Sequence, residues 1–175
     1  MRKNLIGLFA AVLLVVGGVQ AQENTIEVLP KPEKITKFQD EIVLSGETAV
    51  YLDPKAGLNQ EYVTEVLTEA GFQPVYVTKA KKAAIVFQLN DVPSLGNDEA
   101  YGLYVKAPGN RREQIVAKAD TRFGLLYALQ TLRQLTSVDS EGVTVPACII
   151  SDKPAFPWRA YMQDESRHFQ GAETV

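Results

Sequence analysis

The chain has 175 residues, a formal net charge of −3, one cysteine and one histidine. An acidic balance without a basic stripe excludes the electrostatic footprint of a nucleic-acid binder, and the Lys79, Lys81, Lys82 cluster reads as a solvated turn. A lone cysteine excludes an internal disulfide, so the fold must rest on its core, with Cys148 expected as a buried thiol in the apolar run Val145 to Ile150.

Residues 1–21 read as a signal peptide. Arg2 and Lys3 form a basic start, Leu5 to Val16 an apolar core, and Val19-Gln20-Ala21 a small-residue cleavage site. The apolar run is shorter than the ~18 residues a membrane span needs, and no second hydrophobic segment follows it. Export to the periplasm or the extracellular space is therefore expected, with no membrane span after cleavage.

Ile26 to Leu29 is a short strand candidate, closed by Pro30 and Pro32. Lys34 to Phe38 and Glu41 to Leu44 read as two strands around Gln39-Asp40, and Thr48 to Leu52 as another, stopped by Asp53-Pro54. The period then changes. Tyr62, Val63, Val66, Leu67 and Ala70 recur at helical spacing, which predicts a helix over Leu58 to Ala70 with Gly71 as its C-terminal stop.

Val75 to Thr78 and Ala83 to Leu89 are the next strands. Tyr101 to Lys106 and Gln114 to Ala119 follow as a hairpin, with Tyr101, Leu103 and Val105 on one face. Asp120 suits the N-cap of a second helix over Thr121 to Thr136, whose Phe123, Leu126, Leu129, Leu132 and Leu135 form a broad apolar stripe. Gly124 permits close approach of that helix to a sheet. Val143 to Ile150 is the last strand. The pattern predicts an α+β domain over 22–151: a mostly antiparallel sheet with two helices packed on one face.

The body of this domain holds no HExxH, no cysteine pair, no glycine-rich phosphate loop and no GxSxG elbow. A transition-metal site built by the protein is not expected, and the helix stripes are core. Chemistry gathers after the linker 152–158, in Arg159-Ala160-Tyr161-Met162-Gln163-Asp164-Glu165-Ser166-Arg167-His168-Phe169. As a strand, this stretch points Asp164 and Glu165 to opposite faces, so they do not form an acid/base pair on one bond. Arg159, Tyr161, Gln163, Glu165 and Arg167 share a face. The planar fork of Arg167 suits the vicinal hydroxyls of a sugar, but it equally suits an ion pair with Glu165 or a neighbouring carboxylate.

Several runs occur together in order: Ala100-Tyr101-Gly102-Leu103-Tyr104-Val105, Gly124 to Leu135, Val145 to Asp152, Phe156-Pro157-Trp158-Arg159 and Asp164-Glu165-Ser166-Arg167-His168-Phe169. Together they resemble the front of glycoside hydrolase family 20, the exo-acting β-N-acetylhexosaminidases. The resemblance implies an N-terminal α+β domain followed by a (β/α)8 barrel. On that basis 159–175 is the start of a truncated catalytic barrel, with 159–166 as its first strand. It further implies that Arg167 is a substrate-binding residue that grips the terminal sugar.

The family's catalytic Asp-Glu pair belongs to later barrel strands, so no catalytic residue is expected in this chain. A barrel takes about 250 residues, and the chain reads as an inactive fragment of a longer hydrolase. That parent is expected to trim terminal β-linked GlcNAc or GalNAc from glycans by substrate-assisted retaining catalysis, without metal or organic cofactor. Two alternatives stand beside it: a freestanding, non-catalytic carbohydrate-binding or accessory domain, and another glycosidase family that shares a similar leading domain.

Overall fold

The structure, a computed structural model, describes residues 26–90, 95–106, 114–160 and 162. Its centre is a single mixed sheet. The strands are β1 (Lys34–Leu44), β2 (Glu47–Leu52), β3 (Gln73–Tyr76), β4 (Ile85–Leu89), β5 (Tyr101–Val105), β6 (Ile115–Ala119), β7 (Ser137–Val138) and β8 (Val143–Asp152). They lie in the order β1-β8-β5-β6-β4-β2-β3, with β7 paired to β8 off this path. Helices α1 (Gln60–Glu69) and α2 (Arg122–Leu135) pack against each other and against the sheet.

The sheet is mixed: among the described residues four of the seven strand pairings are antiparallel, in line with the sequence pattern, but three are parallel, which that pattern does not predict. Pairings β2–β3, β2–β4 and β4–β6 are parallel, whereas β1, β5, β6, β7 and β8 pair antiparallel. The cause is the crossover through α1. A strand followed by a helix returns beside its starting strand in the same direction, so β2, α1 and β3 form a parallel unit that β4 extends.

Local chemistry sets the helix ends. Asn59 Oδ1 accepts from the N–H groups of Glu61 (2.9 Å) and Tyr62 (3.3 Å) and starts α1. The helix ends at Gly71, with φ +93°, where Gly71 N–H donates to Thr68 O (2.9 Å) and Phe72 N–H to Leu67 O (3.0 Å). This double closure needs a left-handed residue, which glycine adopts without a Cβ penalty. The cap of α2 is Thr121, whose Oγ1 accepts from Phe123 N–H at 3.1 Å, rather than the expected Asp120. Asp120 is drawn elsewhere: its carboxylate accepts from Asn90 Nδ2 (2.6 Å) and Leu95 N–H (2.7 Å) and ties the ends of β4 and β6 together.

Two expected strands over Lys34 to Leu44 are one, broken only by a register shift between Lys37 and Glu41. Pro146 of β8 lies opposite Glu41 at this irregularity, one of the few places a sheet tolerates proline. Pro74 is accommodated for a related reason, since β3 is an edge strand. Ile26 to Leu29 is not a strand.

The core lies between sheet and helices. Register aligns Phe87, Ala117, Leu103 and Ile150 in one row across four strands, and Ile85, Ile115, Val105 and Cys148 in the next. All eight are buried, and Leu125, Ala128, Leu129 and Leu132 of α2 close over them. A third row, Leu89, Ala119, Tyr101 and Asp152, runs to the margin of the sheet and leads into the candidate site.

Candidate functional site

At the end of the third row, Tyr101 and Asp152 stand side by side on β5 and β8. The Tyr101 hydroxyl lies 2.5 Å from Thr131 Oγ1 on α2 and donates at 3.4 Å to Asp152 Oδ2. Burial, the dominant influence, pushes the Tyr101 phenol up to about 12. The segment ahead of β1 is strapped across this end. Gln134 of α2 accepts from Leu29 N–H (2.9 Å) through Oε1 and donates to Leu29 O (3.0 Å) through Nε2. Asp152 Oδ1 accepts from Glu33 N–H at 3.0 Å. A side-chain amide thus supplies the pairing that a strand neighbour would have given Leu29.

Strap, α2 and the segment after β8 enclose a groove of about 800 Å³, lined among others by Leu29, Tyr101, Tyr127, Thr131, Phe156 and Arg159. Its mouth holds a charged cluster. Arg159 Nη2 donates to Glu99 Oε1 at 2.6 Å and to the Tyr127 hydroxyl at 3.4 Å, and its Nη1 donates to Phe156 O at 3.0 Å. Tyr127 in turn donates to Glu99 Oε1 at 2.8 Å. These bonds hold the Glu99 carboxyl below its ordinary range, the Tyr127 hydrogen bond acting most strongly and Arg159 next. For the same reason the Tyr127 phenol and the Arg159 guanidinium titrate higher than usual, each chiefly through its bond to Glu99.

An acid/base pair needs one carboxyl that is free to exchange a proton near neutral pH. Glu99 is held as the anion by two donors, so the cluster is built to fix geometry rather than to transfer protons. Among the described residues no group of three or more His, Cys, Asp or Glu side chains is placed to hold a metal ion. No helix among them is long and apolar enough to cross a membrane.

Residues 25–153 match the family model described as glycosyl hydrolase family 20, domain 2. The chain belongs to glycosyl hydrolase family 20. Among family 20 relatives, it is 31% identical to the β-hexosaminidase of Vibrio furnissii over 153 residues, which cover 86% of this chain and 23% of that protein. To the β-hexosaminidase subunit beta of Mus musculus it is 40% identical over 84 residues, 47% of this chain and 15% of that one. The sheet and helices match the GH20 exo-β-N-acetylglucosaminidase of Vibrio harveyi with a TM-score of 0.68 at 25% identity, over 84% of this chain and 22% of that one. They match the chitobiase of Flavobacterium johnsoniae with a TM-score of 0.61 at 28% identity, over 84% and 24%. The chain thus spans about a quarter or less of the length of these relatives.

Arg167, the substrate-binding residue expected from the family resemblance, lies outside the described residues, as does the 1–21 leader. Of the strand expected over 159–166, the described Arg159, Ala160 and Met162 are not in a strand, because none of the eight strands pairs with them. Sequence reasoning missed the role of Arg159. A strand pattern assigns it a face shared with Arg167, but its side chain turns back onto the domain. Glu99 is 60 residues away in sequence, and no periodicity links the two.

Proposed function

We propose that this chain is the leading part of an exported exo-β-N-acetylhexosaminidase that removes terminal β-linked GlcNAc or GalNAc. The observation that carries this reading is the family 20 match over 25–153, with the Asp164-Glu165-Ser166-Arg167-His168-Phe169 stretch following it in sequence. The relatives named as β-hexosaminidases and the N-acetylglucosamine bound by the Vibrio harveyi enzyme support the substrate class.

In the proposed reaction the substrate's own acetamido carbonyl attacks the anomeric carbon, which suits a retaining mechanism without an enzyme nucleophile. A glutamate on a later barrel strand protonates the leaving oxygen, and the aspartate before it orients the acetamido group. Arg167 grips hydroxyls of the terminal sugar. The described domain is the platform on which that barrel begins, and a polypeptide of these 175 residues alone hydrolyses nothing. The leader 1–21 directs export to the periplasm or beyond.

The test is to read the gene past the codon for Val175 and assay its full product on an aryl N-acetyl-β-glucosaminide. An open frame of barrel length and turnover are expected. Arg167→Ala should then lower kcat/KM roughly ten- to hundred-fold, the scale of losing charge-assisted hydrogen bonds. A stop codon directly after Val175, with sugar retained but not cleaved by the chain, would replace this reading with that of an accessory binding domain.

A further inference from the structure

The last described residues of the chain depart from the domain at one defined point. Phe156, at the groove, and Trp158 are largely exposed, at 71% and 79%. Among the described residues after Trp158, the side chain that bonds back to the domain is that of Arg159. It reaches three acceptors on three parts of the molecule: Glu99 in the loop before β5, Tyr127 on α2 and the carbonyl of Phe156. Glu99 and Tyr127 are themselves bonded to each other, so the receptor for the guanidinium is preassembled.

A planar guanidinium fixed through two of its nitrogens sets direction as well as distance. We infer that Glu99, Tyr127 and Arg159 form a latch that sets the direction in which the chain leaves the domain. Arg159 is a positioning residue for the substrate-binding Arg167, eight residues further on in sequence. The functional half of this inference rests on the role proposed for Arg167. The latch itself stands on the described geometry alone.

Trp158, the sole tryptophan, neighbours Arg159 and reports on the latch. Its side chain is already exposed with the latch made, so release should change emission colour little, and the decay of fluorescence anisotropy is the useful signal. In the 175-residue chain, Arg159→Gln and Glu99→Arg should each increase the rapidly depolarising fraction of Trp158. The Tm should stay near that of the parent, because the cluster lies at the surface. Exchanging the charges, Glu99→Arg with Arg159→Glu, should restore the slow decay, which a general loss of folding would not permit. Unchanged anisotropy in Arg159→Gln would overturn the latch.

In the full-length gene product, Arg159→Gln should reduce kcat/KM on the order of ten- to hundred-fold, the scale of a small misplacement at a site. The loss should appear mainly in KM, because the group displaced binds sugar in ground and transition states alike. The charge exchange should recover part of it. Unaltered kinetics beside a loosened Trp158 would overturn the positioning role. If the unsubstituted full-length product shows no hexosaminidase activity, the proposed function fails, and the Trp158 measurement still decides the latch.

Discussion

Gly124 of α2 rests directly on the backbone carbonyl of Ala100. A Cβ at Gly124 would overlap that carbonyl oxygen and lie 2.7 Å from Ala119 Cβ. The contact seats α2 low over β5 and β6, which brings Tyr127 and Thr131 within reach of Glu99 and Tyr101. Gly124→Ala gains about 1 kcal/mol of helix propensity. It also forces the helix away from a backbone that cannot yield, at the upper end of the ~1–3 kcal/mol that overpacking costs. A net loss of about 1–2 kcal/mol is expected in urea unfolding, and a neutral or stabilised variant would show that the helix seats differently.

Tyr101 and Thr131 form a buried pair, so each depends on the other for its hydrogen bond. Tyr101→Phe should cost about 1–2 kcal/mol by leaving the Thr131 hydroxyl without its partner. Adding Thr131→Val should cost less than the two single changes together, a coupling that a double-mutant cycle measures. The phenol has an alkaline signature as well. Its native value is raised from 10.0 to about 12, so its contribution to stability is complete below pH 10 and disappears as pH rises through about 12. One tyrosine should therefore ionise late in a spectrophotometric titration, together with unfolding, and Tyr101→Phe should remove that late step.

The parts of the fold legible in the sequence are those governed by local periodicity. The stripe of α2, the glycine after α1, the β5–β6 hairpin and the close approach at Gly124 all follow from neighbours within a few positions. What escaped was set at long range. Whether β2 pairs parallel or antiparallel depends on the crossover through α1, and alternation within the strand carries no such information. Asp120 has the right chemistry for an N-cap, but Asn90 and Leu95 compete for it from 30 and 25 positions away. The latch was invisible for the same reason: Glu99 and Arg159 read separately as surface charges.

Cys148 is fully buried between Val105 and Lys37 on adjacent strands, and burial raises its thiol from 9.0 to about 11. Thiolate is the reactive form, and here it is suppressed both by that shift and by lack of access. The native protein should resist a disulfide reagent at pH 8 and react fully once denatured. Cys148→Ser should cost about 1–3 kcal/mol by burying a hydroxyl without a designated partner. Prompt labelling of the native chain would mean that β5 and β8 separate readily despite their pairing.

Acid should release the latch before it unfolds the domain. The native Glu99 carboxyl titrates below its ordinary 4.5, so its contribution is complete above that value and is lost as pH falls through the lower native one. Tyr127 sets the opposite limit. Its phenol titrates above the ordinary 10.0, so its contribution is complete below pH 10 and is lost as pH rises beyond. Trp158 anisotropy should therefore stay level from about pH 5 to 9 and fall at both extremes, the carboxylate governing the acid limb and the phenol the alkaline one. Other charged groups line the groove, Lys31, Glu33, Asp152 and Lys153, and Glu99→Gln separates the effect of Glu99 from theirs. That variant keeps an oxygen acceptor for Tyr127 and Arg159 but has no carboxyl to protonate. It should show a lower plateau and no acid limb, whereas an acid limb that persists in Glu99→Gln would assign the release to another carboxylate.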